Sequence, residues 1–363
     1  MSSTPGVHPA SPTPNRLVSV DALRGFDMFW ILGADSLVLG LTALSQFAPA
    51  RVLAAQLEHK EWAGFAFYDL IFPLFVFIVG VSLVFSLTQT IVRHGRVTAL
   101  KRILRRAALL FALGIFYNGG LTQEWPDVRI VGVLQRIAIA YAMTGLLFCY
   151  CKPRILAAST AALLVGYWGL MTFIPIRDVQ LTDSALVARW PELEVDAQGR
   201  PDREQVRALF EATTPGISGH FERGLNVADH LDFRVVPGRM YERYFDPEGL
   251  LSTLPAIATC LLGVFAGLLL QRVDLNDRRK LTTLAIAGLA ALVTGWCWHW
   301  QFPVVKKIWT SSFVLVAGGW SFLLLALFYY LVDVRRWRGW CQPFVWIGMN
   351  PITLYILSSV VSF

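Results

Sequence analysis

The sequence predicts an all-α fold: a polytopic helical membrane protein with nine or ten transmembrane helices and one long extramembrane loop. Of its 363 residues, 55% are hydrophobic and only 16% are charged, and the mean hydropathy is +0.52. Soluble domains carry about 25% charged residues, so this composition is typical of a chain embedded in lipid. Several apolar segments approach or exceed the length needed to cross a bilayer core of about 30 Å.

The predicted membrane spans follow one another along the whole chain. They lie at 22–44, 67–90, 103–118, 128–150, 154–175, 249–271, 281–298, 312–332 and 344–363. The segments 103–118 and 281–298 are the short ones. A tenth span would follow if the chain continued beyond Phe363.

Two parts of the chain fall outside these spans. Residues 1–15 are polar and rich in Ser and Pro, and they lack the apolar core of a signal peptide, so we expect a disordered cytoplasmic tail. Residues 16–363 are predicted to form a single transmembrane domain. Within it, residues 176–248 form an extramembrane periplasmic insertion with one short helix near 202–212. Loops of roughly 70 residues are usually functional or disordered.

Basic residues concentrate in alternate loops between the predicted spans. They are Arg93, Arg96, Lys101, Arg102, Arg105, Arg106, Lys152, Arg154, Arg272, Arg278, Arg279, Lys280, Arg335, Arg336 and Arg338. The positive-inside rule makes these loops cytoplasmic, and the N-terminus with them. Lys306 and Lys307 lie in a loop that this assignment puts on the other side, and they are its weak point. Membrane topology accounts for most of the basic residues, so we expect a lipid bilayer as partner and no nucleic acid.

Two further features narrow the class of protein. The cysteines at 149, 151, 260, 297 and 341 show no spacing typical of a metal site or a disulfide framework, so we expect no metal. The sequence also shows no internal repeat. Inverted repeats are the usual mark of secondary transporters, so their absence argues weakly against a transporter.

The first predicted span carries an unusual number of charged residues. Each charge inside a bilayer costs at least about 2.5–3.5 kcal/mol on insertion scales and therefore needs a reason. At about 100° per residue, Asp21, Arg24, Asp27 and Asp35 fall within about 120° of one another. From Arg24 to Asp35 this polar stripe extends about 16 Å along the helix axis.

Other spans contribute further polar residues. Asp69 lies in the second span, Asn118 ends the third, Arg136 lies inside the fourth and Asn350 opens the last. One interpretation is that they lock helices together in pairs, for example Arg136 with Asp35 or Asp69. A structural pair does not need this many polar spans, so for the whole set we favour a polar cavity within the bundle.

The stretch LEHKEWAGFAFYDLIFPLFVFIVG, residues 57–80, places a histidine just before a span. A lone loop histidine is usually only solvated. His59, however, lies three residues from Trp62 and ten from the intramembrane Asp69. An imidazole close to a carboxylate can act as a general base or as a nucleophile. The residues alone leave proton relay and group transfer open.

The motif FDPEG, which contains Asp246 and Glu248, precedes the sixth span. Proline and acidic residues are common at a helix start, where carboxylates favour the positive end of the helix dipole. This accounts for the local form of the motif. It leaves open whether one of the two carboxylates also binds substrate.

Six motifs occur in the same order as in a known family. They are RLVSVDALRG, LEHKEWAGFAFYDLIFPLFVFIVGVS, GVLQRIAIAY, YFDPEGLLSTLPAIATCLLGVFAG, KKIWTSSFVL and GMNPITLYI. From about Arg16 to its end, the chain resembles the heparan-α-glucosaminide N-acetyltransferase family and its bacterial relatives, which include proteins linked to N-acetylglucosamine use. The resemblance implies a membrane acetyltransferase that moves an acetyl group from cytosolic acetyl-CoA to a glucosamine-type amino sugar on the periplasmic side.

The resemblance also implies roles for individual residues. The family's active-site histidine lies in a His-x-x-Trp-x-Gly motif, here HKEWAG, so His59 is predicted to be the catalytic base or acetyl carrier. We expect Asp69 to orient it and Asp35 to be a third catalytic residue. Asp35 stands where eukaryotic members carry an asparagine, which puts its exact task in doubt. An asparagine could donate a hydrogen bond to the thioester oxygen, and an ionised aspartate could not.

The remaining expected site residues divide into two groups. Those predicted to bind the acceptor or line its cavity are Arg136, Asn118, Asn350, Asp246, Glu248 and Trp62. Those predicted to bind the phosphates of CoA at the cytoplasmic face are Arg24, Lys101, Arg102, Arg105 and Arg106. For this basic group, topology alone is an equally good explanation.

A second departure from the family predicts the cellular location of the protein. The chain lacks the large lumenal N-terminal domain of the animal enzymes, so we expect the inner (cytoplasmic) membrane of a bacterium. A homodimer would be unsurprising in this family. The alternative function is a proton-coupled transporter of sugars or sugar derivatives, with the intramembrane carboxylates as a proton relay. Dependence on acetyl-CoA separates the two.

Overall fold

The computed structural model describes residues 17–44, 48–120, 123–124 and 126–361 of the chain. Within these ranges the chain is helical almost throughout. The helices are α1 (Val18–Leu44), α2 (Ala48–Leu57), α3 (Phe67–Tyr117), α4 (Val133–Tyr150), α5 (Pro153–Phe173), α6 (Asp183–Arg189), α7 (Arg203–Ala212), α8 (Val227–Val235), α9 (Thr253–Gln271), α10 (Asp277–Trp298), α11 (Ser311–Phe328), α12 (Gln342–Met349) and α13 (Pro351–Val361). A π-helical turn, Tyr329–Val334, extends α11, and two short strands, β1 (Ile176–Arg177) and β2 (Pro215–Ile217), pair antiparallel.

Among the described residues, six helices are long and apolar enough to cross a membrane: α3, α4, α5, α9, α10, and α11 with its π-helical extension. The predicted all-α polytopic class is confirmed. Helix α1 covers the first predicted span in 27 residues and carries the charged stripe.

Helix α3 contains two of the predicted spans. Its 51 residues are interrupted at Gly95, where φ is 79° and ψ is 170°. This backbone conformation suits glycine because it has no Cβ. The chain therefore reverses between the first half of α3, which holds the predicted span 67–90, and the second half, which holds 103–118.

The last predicted span, 344–363, is not one helix. The structure has two shorter helices there, α12 and α13, separated at Asn350, where φ is −133°. Pro351 explains the break. The residue before a proline is pushed out of the helical conformation, and a proline fits the first turn of the next helix because its missing N–H has no partner to lose.

The centre of the bundle is a close contact between the first half of α3 and α9. A side chain at Gly80 would collide with the carbonyl group of Cys260, and one at Gly263 would collide with that of Phe77. The two glycines therefore let the helix backbones touch. Large side chains such as Leu74 and Phe77 fill the space on either side.

Helices α1 and α12 cross in the same way through Gly25 and Gly348. A side chain at Gly25 would collide with the carbonyl group of Phe344, and one at Gly348 with that of Asp21. This crossing brings Arg24 within hydrogen-bond distance of the carbonyl oxygen of Gly348, at 3.1 Å.

The segment between α5 and α9 forms a small layer of its own, made of α6, α7, α8 and the two strands. Its apolar core includes Leu181, Leu186, Val206 and Phe210. Helix α7 confirms the short helix predicted near 202–212. Helices α6 and α8 were not predicted, because each is too short to show a clear hydrophobic period.

The loops that join the helices lie at two ends of the bundle. The histidine end consists of residues 58–66, 126–132, 174–252 and 299–310. The arginine end consists of the turn at Gly95 and residues 151–152, 272–276 and 335–341. Because successive helices alternate in direction, these two sets of connections lie at opposite ends of the helices.

Candidate active site

His59 lies in the loop between α2 and α3, at the histidine end. Its Nδ1 atom is 2.9 Å from Oδ1 of Asp69. The histidine side chain is 52% exposed, whereas the aspartate side chain is 1% exposed. The ring of Tyr68 lies against the imidazole, with 4.5 Å between the ring centroids. The predicted pair of His59 and Asp69 is thus brought together, with the carboxylate at the base and the imidazole facing solvent.

Asp69 is fixed by the start of α3. It lies in the first turn of the helix, and its Oδ2 atom accepts hydrogen bonds from the backbone N–H groups of Ala66, at 3.1 Å, and Lys60, at 3.3 Å. Acidic residues are favoured here because the first N–H groups of a helix lack intrahelical partners. The carboxylate therefore closes the histidine loop onto the helix. Its remaining oxygen faces the imidazole.

Lys306 is the third group at this point, and it comes from the loop between α10 and α11. Its Nζ atom is 3.1 Å from Nδ1 and 3.5 Å from Nε2 of His59, and 3.5 Å from Oδ1 of Asp69. Its side chain is 21% exposed. Burial lowers the pKa of Lys306 to about 8, although the charge of Asp69 acts in the opposite direction.

Backbone contacts hold the lysine loop against the histidine loop. The N–H group of Gly64 donates to the carbonyl oxygen of Val304 at 2.9 Å, and Ala63 pairs with Val305 in an isolated antiparallel bridge. Lys306 is not among the site residues predicted from the sequence. The available signal was its position in the motif KKIWTSSFVL, together with a positive charge in a loop where the positive-inside rule disfavours one.

A cavity of about 470 Å³ opens beside His59. It is lined by Ile31, His59, Lys60, Glu61, Phe72, Arg129, Val133, Arg136, Tyr241, Pro247, Glu248, Lys306, Lys307, Trp309 and Tyr355. We call it the histidine cavity. Its wall combines an apolar floor with charged groups of both signs. This combination suits a small polar ligand that must be held and oriented.

Arg129, Asp246 and Glu248 form a buried ion cluster on the wall of this cavity. The guanidinium of Arg129 binds both carboxylate oxygens of Asp246, at 2.8 and 2.6 Å, and Oε2 of Glu248, at 2.7 Å. Burial raises the pKa of Glu248, while the cation of Arg129 opposes that shift. The two predicted acids thus share one arginine, and Glu248 faces the cavity. Arg129 is not among the site residues predicted from the sequence.

Arg136 lies deeper in the same wall, with 1% of its surface exposed. Its Nη2 atom donates to the carbonyl oxygen of Pro247, at 2.6 Å, and to the hydroxyl of Ser252, and its guanidinium lies 4.8 Å from the ring centroid of Trp309. It is not paired with Asp69, one of the two partners considered from the sequence. The side chain of Asp35, the other one, lies outside the described part of the structure, so the role predicted for Asp35 stays a prediction.

Two predicted acceptor-binding residues point toward backbone groups. The indole N–H of Trp62 donates to the carbonyl oxygen of Phe221 at 2.8 Å. The amide of Asn118 donates to the carbonyl oxygens of Arg129, at 3.5 Å, and Val131, at 3.4 Å. Neither residue lines the histidine cavity. Each instead fixes a loop that carries a residue of the cavity wall.

A second cavity, of about 340 Å³, opens nearer the arginine end. It is lined by Arg24, Phe75, Val79, Ser82, Leu83, Ser86, Arg106, Leu110, Ile137, Tyr141, Met349, Asn350, Pro351, Ile352 and Thr353. We call it the arginine cavity. Arg24 donates to the hydroxyl of Ser82, and Arg106 lies 5.0 Å from the ring centroid of Tyr141. The predicted Asn350 lies here, at the break between α12 and α13.

The predicted basic group at the start of the third span separates by helical face. Arg106 lines the arginine cavity. Arg102, one turn away on the same side, donates to the hydroxyl of Thr90 at 2.9 Å. Lys101 and Arg105 are exposed and do not line this cavity. The sequence located the cations but not the direction in which each one points.

A narrow apolar passage lies between the two cavities. Its volume is about 30 Å³, and its wall is formed by Met28, Ile31, Phe72, Phe75, Val133, Leu134, Ile137, Pro351, Ile352 and Tyr355. Four of these residues also line the histidine cavity: Ile31, Phe72, Val133 and Tyr355. Four others also line the arginine cavity: Phe75, Ile137, Pro351 and Ile352. The three spaces are therefore adjacent and follow one another through the bundle.

Comparison with known proteins agrees with the motif resemblance. Residues 16–185 match the sequence model described as "Heparan-alpha-glucosaminide N-acetyltransferase, catalytic". The chain is 30% identical over 372 residues to heparan-α-glucosaminide N-acetyltransferase of Homo sapiens, which covers 95% of this chain and 53% of the human protein. The Mus musculus protein of that name is 30% identical over 368 residues, covering 94% and 53%. The chain thus spans about half the length of the curated relatives it matches.

Proposed function

We propose that this chain is a transmembrane acetyltransferase. Both comparisons relate it to the heparan-α-glucosaminide N-acetyltransferase family. It takes an acetyl group from acetyl-CoA and transfers it to the amine of a glucosamine-type sugar. One observation carries the proposal beyond the family relationship. A narrow apolar space lies between a cavity with two arginines and a cavity beside a histidine–carboxylate pair, and it shares wall residues with both.

The donor fits this path by its chemistry. CoA has an anionic nucleotide, and a long thin arm that ends in the thioester. Arg24 and Arg106 supply cations for phosphate groups in the arginine cavity, with Ser82 and Asn350 as neutral hydrogen-bonding groups. The passage is narrow and apolar, and it suits the arm but not the nucleotide. In this arrangement the thioester reaches the histidine cavity while the phosphates stay behind.

The chemistry takes place at Nε2 of His59. If Nδ1–H donates to Asp69, the lone pair of Nε2 is free to accept a proton. In the direct route, the amine nitrogen attacks the thioester carbon and Nε2 takes the amine proton. The carbon–sulfur bond then breaks, and the departing thiolate takes the proton from the imidazolium. The products are the N-acetyl sugar and the free CoA thiol.

A two-step route uses the same atoms. Nε2 attacks the thioester carbon, the carbon–sulfur bond breaks, and the acetyl group stays on the imidazole, which becomes an acetyl-imidazolium, while CoA leaves as the thiolate that takes up the proton released by the amine in the next step. The sugar amine then attacks the acetyl-imidazolium, loses its proton, and leaves His59 as it began. Both routes need the carboxylate of Asp69 to hold the ring, so the geometry supports both.

The acceptor enters from the histidine end, where the imidazole is half exposed. An amino sugar arrives largely as an ammonium ion, to which Glu61 and Glu248 on the cavity wall offer carboxylates, and it releases one proton to solvent before it attacks as the neutral amine. The positive-inside rule makes the histidine end periplasmic, in a bacterial inner membrane with a cytoplasmic N-terminus. Acetylation would then occur on the side opposite the acetyl-CoA pool.

The test is acetyl transfer by the purified full chain in detergent, with radiolabelled acetyl-CoA, with and without glucosamine. We expect wild type to form labelled N-acetylglucosamine and His59→Ala to lose at least about 10³-fold in rate. His220→Ala is the matched control, because His220 is exposed in the 176–248 segment and pairs with Glu222 at 3.3 Å. Label on the protein without acceptor would favour the two-step route.

Two results would count against the proposal. One is a folded His59→Ala protein with full transferase activity, which would remove His59 from the chemistry. The other is a wild-type protein that neither binds CoA nor consumes the thioester. A sugar flux across vesicles reconstituted with that protein would support the alternative, a proton-coupled transporter.

A further inference from the structure

The loop before α11 brings an ammonium group against the catalytic imidazole. Nζ of Lys306 is 3.1 Å from Nδ1 and 3.5 Å from Nε2 of His59. These two distances place it over the face of the ring, close to both nitrogens. Any carbonyl group attacked at Nε2, or by an amine held at Nε2, reacts within a few ångströms of this nitrogen.

A positive charge at that position has a specific use in acyl transfer. When a nucleophile adds to a thioester carbon, the carbonyl oxygen takes up a negative charge. Backbone N–H groups or cations usually meet that charge, and they act most strongly in sites from which water is partly excluded. Lys306 combines a fixed position, limited exposure and the correct sign.

We propose that Lys306 is a further catalytic residue, whose ammonium stabilises the negative charge on the reacting carbonyl oxygen while His59 handles the proton or the acetyl group. The inference rests on the proposed acetyl transfer and names one more residue for it. The ammonium also lies 3.5 Å from Asp69, so a single carboxylate anchors both the base and the cation.

The charged groups around Lys306 affect the pH at which its ammonium group loses a proton. Asp69 at the start of α3 and Glu248 before α9 stabilise its charge, whereas the neighbouring Lys307 opposes it. Burial outweighs the carboxylates and lowers the pKa of Lys306 to about 8. If the charged form is the active one, kcat falls as the pH rises through about 8.

Two substitutions separate this role from a structural one. Lys306→Met keeps the length of the side chain but removes the charge. We expect its kcat to fall by about 10²–10³-fold, the usual cost of removing one oxyanion donor, with little change in CoA affinity. Lys306→Arg keeps a charge that is not lost below about pH 12. We expect it to restore part of the activity and to shift the alkaline fall in kcat well above that of wild type.

Lys307→Met is the matched control. Lys307 is the next residue, lies on the same cavity wall and pairs with Glu242. Its loss removes one charge from the same loop without removing the group beside His59. We expect the alkaline limb of the pH profile to persist in this variant and to move at most slightly upward, because one charge that opposes the Lys306 ammonium is gone, whatever happens to the affinity for the acceptor.

The measurement is kcat at saturating acetyl-CoA and glucosamine from pH 6.5 to 9.5. CoA binding and the thermal unfolding midpoint of each variant show whether it is folded. The inference is overturned if wild type transfers acetyl groups and Lys306→Arg keeps the wild-type alkaline limb, even if Lys306→Met fails to fold. It is also overturned if folded Lys306→Met keeps wild-type kcat. Wild-type protein with no transfer at all would instead overturn the proposed function.

Discussion

The two cavities of this bundle differ in how their charges are balanced. In the histidine cavity, three cations meet carboxylates: Lys306 with Asp69, Arg129 with Asp246 and Glu248, and Lys307 with Glu242. In the arginine cavity, Arg24 meets the carboxylate of Asp21 at 3.2 Å outside the lining, and the described lining itself contains two arginines and no carboxylate.

A balanced set of charges can move protons and hold a neutral or zwitterionic ligand. An excess of positive charge favours an anion. One end is therefore suited to chemistry and the other to phosphate binding, and each can be disrupted separately.

The largest expected effect comes from the chemical end. Asp69→Asn keeps the shape of the side chain but removes the charge that orients His59 and anchors Lys306. We expect kcat to fall by about 10²–10⁴-fold, as when a base loses its orienting carboxylate, with CoA affinity nearly unchanged. Asp127→Asn, at an exposed aspartate of the same end, is the control. A large rise in KM for acetyl-CoA with unchanged kcat would contradict this assignment.

The passage tests whether the two cavities act as one path. Leu134 lines only the passage, so Leu134→Trp should fill it. We expect acetyl transfer to fall by about 10²-fold, because the thioester can no longer reach the productive position. The Kd of adenosine 3′,5′-bisphosphate, which lacks the pantetheine arm, should stay within about twofold of the wild-type value.

Leu134→Met is the matched control, because it nearly conserves the side-chain volume. It should transfer acetyl groups at close to the wild-type rate. If the tryptophan variant is folded and transfers equally well, the donor does not use this passage. The two cavities would then not be connected through this passage during acetyl transfer.

The arginine end should respond in affinity and not in chemistry. We expect Arg24→Gln and Arg106→Gln each to raise the Kd for CoA by about tenfold, the equivalent of one charge-assisted hydrogen bond, with kcat at saturation nearly unchanged. The effect should weaken at high salt. Isothermal titration with CoA measures it, and Lys101→Gln and Arg105→Gln serve as exposed controls. Equal losses of CoA affinity in all four variants would mean that general positive charge, and not the cavity, binds the nucleotide.

The sequence could predict the features that depend on nearby residues. His59 and Asp69 are ten residues apart, and the start of α3 fixes their relation, so the pair was visible in one stretch. The helices were predictable because long apolar runs have few alternatives in lipid. The break at Asn350 had a signal as well, in the proline that follows it, although the prediction carried a single span through that point.

The features that the sequence could not predict depend on distant contacts or on side-chain direction. Lys306 is 247 residues from His59, and only the folded chain shows that the two loops meet. Arg129 binds carboxylates 117 and 119 residues away. Trp62 and Asn118 are the right types of residue for a site, but their polar groups turn to backbone carbonyl oxygens. A composition argument finds such residues without knowing which way they face.

The smallest expected effect concerns stability, and it should also be confined to the histidine end. In the 176–248 segment, burial raises the pKa of Asp232 to about 7 and that of Asp229 to about 8. Both side chains are buried; Asp232 accepts a hydrogen bond from the N–H group of Leu250 at 3.0 Å, and Asp229 accepts one from that of Gly224 at 2.9 Å. Burial lowers the pKa of the neighbouring His230 to about 4.

These shifts have opposite signs in their effect on folding. An aspartate with a raised pKa binds a proton in the folded state that the unfolded state has already lost, so its contribution to stability falls as the pH rises toward the folded pKa. A histidine with a lowered pKa destabilises the folded state below its unfolded pKa of about 6.5, so its contribution is complete above that pH. Between about pH 6.5 and 8, only the aspartates act, and the stability of this segment should decline by about 1 kcal/mol per pH unit.

Asp232→Asn should reduce this decline without abolishing it, because an amide stays neutral across the range and can still accept the hydrogen bond from Leu250, whereas Asp229 continues to lose its proton. The measurement is the thermal unfolding midpoint between pH 6.5 and 8, followed by tryptophan fluorescence in detergent, for wild type and the variant. Asp274→Asn, at an exposed aspartate of the arginine end, should leave the wild-type slope unchanged. A wild-type midpoint that rises with pH would mean that these aspartates are ionised when folded. The 176–248 segment would then carry buried negative charge beside the histidine cavity, and the charge balance described for that cavity would have to include it.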